Sequence, residues 1–179
     1  CYHERVLSSL GTDCTHKIVL HIGGVFGDKK TALKRFRTHF DYLDDAVKRR
    51  IVIENDDRYF HIGDALETGE RLGIPVVFDN LHHQINGCGS ASAHEWIHLC
   101  RATWRKADGV QKIHYAQQDG KKRPGAHSKT ICVRDFLRFM EPLYGTRIDV
   151  MLSGSRTGSP RLIWSTASMP SMTWPQTLY

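Results

Sequence analysis

Short apolar runs alternate with longer amphipathic stretches along the first 152 residues of the chain. The apolar runs predict five β-strands, and the stretches between them have the apolar spacing of helices. The predicted strands are 17–24, 50–55, 75–79, 111–116 and 147–152, and the predicted helices are 28–40, 62–73, 92–105 and 132–143. Because strand and helix alternate, we expect parallel strands joined by right-handed crossovers.

Two α/β architectures have this alternation, a doubly wound sheet and part of a (β/α)₈ TIM barrel. The strands are apolar nearly end to end, as expected where helices cover one face and a packed interior covers the other. A complete barrel needs about 250 residues, so five units would form about two-thirds of one. Residues 153–179 are rich in Ser, Thr, Pro and Trp, and we interpret them as an irregular tail, either poorly ordered or non-native, beyond a domain of residues 1–152.

Each of the first four predicted strands ends in a side chain that can bind a metal ion. These residues are His21, Glu54, Asp79 and His114. In both candidate architectures the carboxyl edge of the sheet is where active sites lie. We therefore expect the four side chains to converge on one rim, whereas unrelated histidines and acids would only cap helices or hydrogen-bond loops.

Two further histidines extend this group. His82 lies three residues beyond Asp79, and His127 lies on the polar loop 117–128. A mixed nitrogen and oxygen set suits Mn²⁺, Zn²⁺ or Fe²⁺ better than Mg²⁺. The set exceeds the four ligands of one tetrahedral zinc ion, so it predicts a centre with two or three metal ions.

Lys112 is predicted to lie on the same face of its strand as His114, because the two are two positions apart. A cationic ammonium beside divalent ions would be repelled. Lys112 is therefore neutral, salt-bridged or converted to a metal-binding carbamate, or else it lies one layer deeper and pairs with an acid. The spacing alone leaves both alternatives open.

The segment HEWIH, residues 94–98, matches the zinc motif H-E-x-x-H of metalloproteases. The longer form of that motif requires glycine where this chain has Arg101, and no glutamate that could serve as a third ligand follows nearby. The predicted helix also lies between two strands that already carry ligands. We therefore expect His94 and His98 to be surface or packing residues.

Composition narrows the class of protein only slightly. The formal net charge is +6, which favours polyanionic partners but is equally typical of basic domains that bind no nucleic acid. Five scattered cysteines without a CxxC motif indicate a reducing compartment. No signal peptide is visible, and no apolar run approaches the roughly 18 residues of a membrane span. We expect a soluble, cytoplasmic protein, nucleoid-associated if bacterial, with no implied protein partner.

At the level of whole motifs, the sequence resembles the UV damage endonuclease family. The matching stretches are KIVLHIGGVFGDK, RIVIENDD, GIPVVFDNLHH, KIHYAQQ and GAHS, in order and with matching spacing across residues 1–152. The family is a (β/α)₈ barrel related to endonuclease IV and the xylose-isomerase-like barrels. The resemblance implies a metal-dependent enzyme that nicks double-stranded DNA 5′ to cyclobutane pyrimidine dimers and 6-4 photoproducts.

The resemblance also implies roles for individual residues and manganese as the metal. Glu54 and a carboxylated Lys112 would be catalytic. In the family, early strands carry another histidine ligand and a lesion-probing Gln-Tyr pair that this sequence does not contain, and a glutamate stands where this chain has Ser153. The implied metal ligands are His21, Glu54, Asp79, His82, His114 and His127.

Four basic residues are predicted to contact DNA phosphates at the rim, namely Lys29, Lys121, Lys122 and Arg123. A solvated basic loop would have the same sequence. Two other functions remain open alongside the nuclease. A sugar isomerase or epimerase on the same barrel type also uses Glu, Asp and His at strand ends, and the chain could instead be an inactive fragment of the nuclease.

Overall fold

The computed structural model describes residues 1–154 and 163–165 and contains one sheet with the strand order β1-β2-β3-β4-β5-β6. The first five strands are parallel to one another, and β6 is antiparallel to β5. The strands are β1 Ile18–His21, β2 Ile51–Glu54, β3 Val76–Asp79, β4 Lys112–Ala116, β5 Asp149–Ser153 and β6 Ile163–Ser165.

The sequential strand order decides between the two predicted architectures. A doubly wound sheet reverses its strand order at a switch point, whereas a TIM barrel adds each new parallel strand on the same side. The five parallel strands follow the barrel rule and form a curled half-barrel. The predicted partial (β/α)₈ barrel of five units is therefore confirmed.

Seven α-helices accompany the strands in the described residues. They are α1 Tyr2–Ser9, α2 Lys29–Asp41, α3 Asp45–Lys48, α4 Ile62–Leu72, α5 Asn80–Ile85, α6 Ala93–Arg101 and α7 Val133–Met140. Short 3₁₀ turns follow at Lys106–Asp108 and Glu141–Leu143. The sequence analysis did not predict α1, α3 or α5, and it extended α6 and α7 beyond their ends.

Local sequence explains where the long helices begin and end. Asp28 caps α2 by accepting a hydrogen bond from the Thr31 amide at 2.8 Å. Ser92 and Glu95 form a capping box that begins α6. Gly73 ends α4 in the left-handed region, at φ 66°, which favours glycine because it has no Cβ atom. These signals agree with the predicted positions to within a few residues.

The core lies between the sheet and the helices. All four residues of β2 and all four of β3 are buried, as expected for central parallel strands covered on both faces. Gly69 allows α4 to approach the sheet closely, because a Cβ atom there would lie 2.7 Å from the carbonyl oxygen of Ile74. By contrast, β1 is half exposed and pairs only with β2 in the described residues.

Two regions complete the description of the chain. No helix in residues 1–154 has both the length and the apolar character that crossing a membrane requires. Of the predicted tail 153–179, the structure describes Ser153 and Gly154, at the end of β5, and the backbone of β6. The rest of the predicted tail lies outside the described residues.

Candidate metal centre

The parallel strands place four of the predicted ligands side by side at their carboxyl ends. His21 on β1 lies opposite Glu54 on β2, and Asp79 on β3 lies opposite His114 on β4. His21, Glu54 and Asp79 are the last residues of their strands. β4 continues two residues beyond His114, so the prediction that His114 ends its strand is wrong, although the parallel register still places His114 beside Asp79. His82 joins them from the first turn of α5, three residues after Asp79.

The five side chains form two groups of potential metal ligands, called the donor groups below, which share Glu54. One group is Glu54 with His21 and His82, and the other is Glu54 with Asp79 and His114. Within each group the potential ligand atoms all lie within 4.8 Å of one another. Two adjoining sets of donors with a carboxylate in common are an arrangement that can hold a pair of divalent ions.

Glu54 contacts one histidine in each group. Its Oε1 atom lies 2.7 Å from Nε2 of His21, and its Oε2 atom lies 2.7 Å from Nδ1 of His114. Nδ1 of His114 also lies 3.8 Å from Oδ2 of Asp79. The shared carboxylate thus lies between the two imidazoles, as a bridging ligand would.

A backbone contact fixes the ring of His82. Its Nδ1 atom lies 2.8 Å from the carbonyl oxygen of Asn55. Because a carbonyl oxygen only accepts hydrogen bonds, Nδ1 must carry the proton, and Nε2 of the neutral ring keeps its lone pair for a metal ion. The ring centroids of His82 and His21 lie 5.3 Å apart, so both imidazoles border the same space.

The pKa values of the two carboxylates, Glu54 and Asp79, are shifted in opposite directions. Burial raises the pKa of Glu54, but the imidazoles of His114 and His21 outweigh this effect and lower its pKa to about 2. Burial raises the pKa of Asp79 above its ordinary value. Contact with Glu54 raises the pKa of His21. A carboxylate that is charged at neutral pH therefore lies beside a deeply buried one.

The residues present fit a divalent metal ion. Oε2 of Glu54 is buried and lacks a well-aligned hydrogen-bond donor, although Nδ1 of His114 is only 2.7 Å away. A buried carboxylate oxygen without a donor is costly unless a cation neutralises it. Three imidazoles and two carboxylates are the mixed donor set that suits Mn²⁺, Zn²⁺ or Fe²⁺.

Two of the residues predicted at the metal centre, Lys112 and His127, lie outside both groups. His127 forms an isolated antiparallel bridge with Gln118 within the loop after β4. Nζ of Lys112 lies 3.0 Å from Oδ2 of Asp149 and donates to the carbonyl of Val110, toward the amino end of the sheet. This pairing corresponds to the second alternative for Lys112. Carboxylation of Lys112 and metal binding by His127 stay predictions.

The four predicted DNA contacts differ in their neighbours. Lys29 pairs with Asp64 at 2.5 Å, and Lys122 pairs with Asp119 at 3.4 Å. Lys121 and Arg123 are exposed and have no acidic partner within the described chain. The loop after β4 thus presents cationic side chains, two of which have no local carboxylate to exchange for a phosphate.

The HEWIH segment lies on α6, away from both donor groups. Nε2 of His94 lies 2.8 Å from the carbonyl oxygen of Phe139, and its ring packs on the Phe139 ring. His98 is exposed. Neither histidine belongs to a potential metal-binding group in the part of the chain that the structure describes. His94 is a packing residue and His98 is a surface residue, as expected.

Two buried asparagines near the centre were missed by sequence reasoning. Asn55 follows Glu54, and Asn80 follows Asp79. Each carboxamide makes two hydrogen bonds with the backbone of the next strand. The repeated acid–asparagine pairs at two strand ends were the available signal, but a single asparagine after a strand usually indicates only a turn.

Together, the half-barrel and the two donor groups at its carboxyl rim define a (β/α)₈-type protein with a mixed histidine and carboxylate centre. The chain matches the family UV-endonuclease UvdE over residues 1–156 and belongs to that family. The predicted resemblance is therefore confirmed. The matched span contains all the residues of both donor groups.

Individual relatives agree with this assignment. The chain is 45% identical over 152 residues to the UV DNA damage endonuclease of Clostridium perfringens (strain 13 / Type A), covering 84% of this chain and 37% of that protein. It is 33% identical over 141 residues to the UV DNA damage endonuclease of Bacillus cereus (strain Q1), covering 79% and 43%. A solved structure titled "Crystal Structure of SacUVDE" matches with a TM-score of 0.78 at 37% identity, covering 86% and 50%. The chain thus spans half or less of the length of these relatives.

Proposed function

We propose that this protein acts in DNA repair as a metal-dependent endonuclease, nicking the phosphodiester bond 5′ to UV photoproducts in double-stranded DNA. The lesions would be cyclobutane pyrimidine dimers and 6-4 photoproducts. The observation that carries the proposal is the buried Glu54 carboxylate shared by two groups of metal-binding side chains, in a chain of the UV-endonuclease family. The proposed location is the cytoplasm, in association with the nucleoid if the source is a bacterium.

Manganese is the proposed metal, in two or three ions, because imidazoles and carboxylates contribute together to each donor group. Bound divalent ions would supply Lewis acidity at the scissile phosphate and lower the pKa of a bound water molecule. Glu54 and Asp79 would offset part of the ionic charge, since both are buried carboxylates. The neutral ligands of the metal ions would be the imidazoles of His21, His82 and His114. The products would carry a 3′-hydroxyl and a 5′-phosphate.

The side chains around the rim would hold the DNA backbone. Lys121 and Arg123 are available for phosphate contacts, whereas Lys29 and Lys122 would first have to exchange their carboxylate partners. Phosphate contacts of this kind position a duplex without reading its sequence. The lesion would therefore be selected by its distorted shape and not by base identity.

Relaxation of supercoiled plasmid tests the proposal. With Mn²⁺ present, the 179-residue chain is expected to nick UV-irradiated plasmid and to leave undamaged plasmid supercoiled. The Glu54→Gln variant is the matched control, because it keeps the size of the side chain but removes the shared charge. A sugar isomerase or epimerase would nick neither plasmid.

The same experiment separates an active chain from an inactive fragment. If the wild-type chain unfolds cooperatively and binds Mn²⁺ but nicks neither plasmid, the nuclease proposal fails for this chain. If it does not unfold cooperatively, the inactive-fragment alternative is favoured. Equal nicking of damaged and undamaged plasmid would contradict the proposed specificity for photoproducts.

A further inference from the structure

The carboxamide of Asn55 continues the hydrogen bonding between β2 and β3 beyond the point where their regular pairing ends. The last paired residues are Glu54 and Val77. Two residues further along β3, Nδ2 of Asn55 donates to the carbonyl of Asp79 at 3.0 Å, and Oδ1 accepts from the Asp79 amide at 2.9 Å. The side chain thus replaces a missing backbone segment and fixes the peptide groups on either side of the Asp79 Cα.

The main chain of Asn55 contacts a second residue of the metal centre. Its carbonyl oxygen accepts the hydrogen bond from Nδ1 of His82 at 2.8 Å. The His82 amide in turn donates to Oδ1 of Asp79 at 2.8 Å. Asn55, Asp79 and His82 therefore form a closed set of contacts, in which movement of Asn55 would displace one carboxylate and one imidazole of the centre.

Asn80 makes the same pair of hydrogen bonds between β3 and β4. The residue that it contacts, Ala116, has no metal-binding side chain. Nδ2 of Asn80 donates to the carbonyl of Ala116 at 3.0 Å, and Oδ1 accepts from the Ala116 amide at 2.7 Å. Asn80 is 3% exposed and Asn55 is fully buried. The two asparagines are thus matched in burial and in hydrogen bonding, but only Asn55 holds the backbone of a predicted ligand.

We propose that Asn55 is a positioning residue of the metal centre, which holds Asp79 and His82 in the geometry that binds a divalent ion. The proposal rests on the metal centre of the proposed function. A carboxamide is required because the site needs one donor and one acceptor, whereas a carboxylate cannot donate and an apolar side chain can do neither. Removal of groups that orient metal ligands typically lowers metal affinity by about 10- to 100-fold.

The experiment compares Asn55→Ala with Asn80→Ala in the full 179-residue chain. Both variants lose two buried hydrogen bonds and leave a cavity, so urea unfolding of the metal-free protein is expected to show a similar loss of stability. Titration with Mn²⁺, followed by the electron paramagnetic resonance signal of the free ion, is expected to separate them. We expect Asn55→Ala to weaken Mn²⁺ binding by about 10- to 100-fold, and Asn80→Ala to weaken it far less.

A second measurement does not depend on metal. In the metal-free wild type, nitrogen NMR of the histidine rings is expected to show the His82 proton on Nδ1. Asn55→Ala keeps the main-chain carbonyl but releases it from β3, so the carbonyl is expected to shift and the single tautomer to be lost, while Asn80→Ala keeps it. Asn55→Ser, which leaves a smaller cavity, provides the same two measurements if Asn55→Ala does not fold. Its single, shorter hydroxyl cannot replace both the Nδ2 donor and the Oδ1 acceptor that contact the Asp79 backbone, so the same loss of affinity is expected.

The outcomes distinguish this inference from the proposed function. If the wild type does not bind Mn²⁺, both the proposed metal centre and the inference about Asn55 are refuted. If the wild type binds Mn²⁺ and the Asn55 and Asn80 variants lose affinity equally, the metal centre stands and Asn55 has only a structural role. An unchanged His82 tautomer in the Asn55 variants would also overturn the inference.

Discussion

Oε2 of Glu54 and Nδ1 of His114 lie 2.7 Å apart, although β2 and β4 are not neighbours in the sheet. β3 lies between them, and its terminal Asp79 lies 3.8 Å from the same imidazole nitrogen. Three consecutive strands therefore direct one side chain each to the same point, from the last residue of β2 and of β3 and from the middle of β4. The curl of a half-barrel makes this convergence possible, because a flat sheet holds alternate strands nearly 10 Å apart.

Replacement of Glu54 is expected to have the largest effect on metal binding. Glu54→Gln keeps the volume of the side chain but removes the charge that both donor groups share. We expect Mn²⁺ affinity to fall by about 100-fold or more, since loss of a shared ligand should exceed the loss of a group that only orients a ligand. Equilibrium titration with Mn²⁺ measures the effect, and affinity within threefold of wild type would contradict it.

The HEWIH histidines provide the matched control for that measurement. His94→Ala with His98→Ala removes two imidazoles, but neither belongs to a donor group in the described residues. Metal content by mass spectrometry is expected to stay unchanged. His94→Ala also loses the contact with Phe139, so the double variant is expected to be about 1 kcal/mol less stable toward urea.

Much of this fold could be predicted because its signals are local. Apolar runs that end in His21, Glu54, Asp79 and His114 specify both the strands and their carboxyl edge, and the alternation with helices specifies parallel pairing. The choice between a barrel and a doubly wound sheet depends on strand order. Strand order arises from contacts between distant segments, so no local pattern encodes it.

The site contacts that the sequence analysis did not predict also join residues that are far apart in the chain. The role of Asn55 depends on the backbone of Asp79, which is 24 residues further along the chain. The partner of Lys112 is Asp149 on the next strand, 37 residues away. Spacing shows which face of a strand a residue occupies but not which residue of another strand lies opposite it.

Replacement of Ser153 with glutamate is expected to increase the affinity for metal. Ser153 lies at the carboxyl end of β5, opposite Ala116. By alternation Ser153 shares a face of the sheet with Asp149, and Lys112, which pairs with Asp149, shares that face with His114. Ser153 therefore lies on the same face of the sheet as His114. The family pattern has a glutamate at this position. Ser153→Glu is therefore expected to strengthen Mn²⁺ binding by about tenfold, the order of effect that groups around a metal centre have.

A matched substitution on the other face of β5 tests whether orientation matters. Leu152→Glu adds the same charge one residue earlier, where alternation directs the side chain away from the rim. It is expected to leave Mn²⁺ affinity unchanged and to lower stability. Equal effects of Ser153→Glu and Leu152→Glu would show that added charge alone, and not position on the rim, governs metal affinity.

The loop after β4 is expected to contribute electrostatically to DNA binding. Replacing Lys121, Lys122 and Arg123 with glutamine removes three charges from this loop. If all three contact phosphates, the slope of log affinity against log salt concentration should become shallower by about 3. Fluorescence anisotropy with a UV-irradiated duplex, measured across a salt series, determines the slope.

Three basic residues at the opposite end of the strands provide the control for that series. Arg101, Arg105 and Lys106 precede β4 and are exposed. Replacing all three with glutamine changes the net charge by the same amount, but far from the rim. We expect little change in the slope. An equal change in both triple variants would attribute the effect to net charge and refute the assignment of the loop.

Cys100 is expected to resist thiol reagents and to make the folded chain sensitive to alkali. Its side chain is fully buried, and burial raises the pKa of the thiol to about 12, from an ordinary value of 9.0. Only the thiolate reacts, so Ellman's reagent at pH 8 should label the exposed Cys1 and Cys132 rapidly and Cys100 only after unfolding. Because the unfolded chain ionises this thiol at lower pH, its contribution to stability is complete below pH 9 and is lost as the pH rises toward 12. Cys100→Ala should weaken this alkaline dependence, and rapid native labelling of Cys100 would contradict its burial.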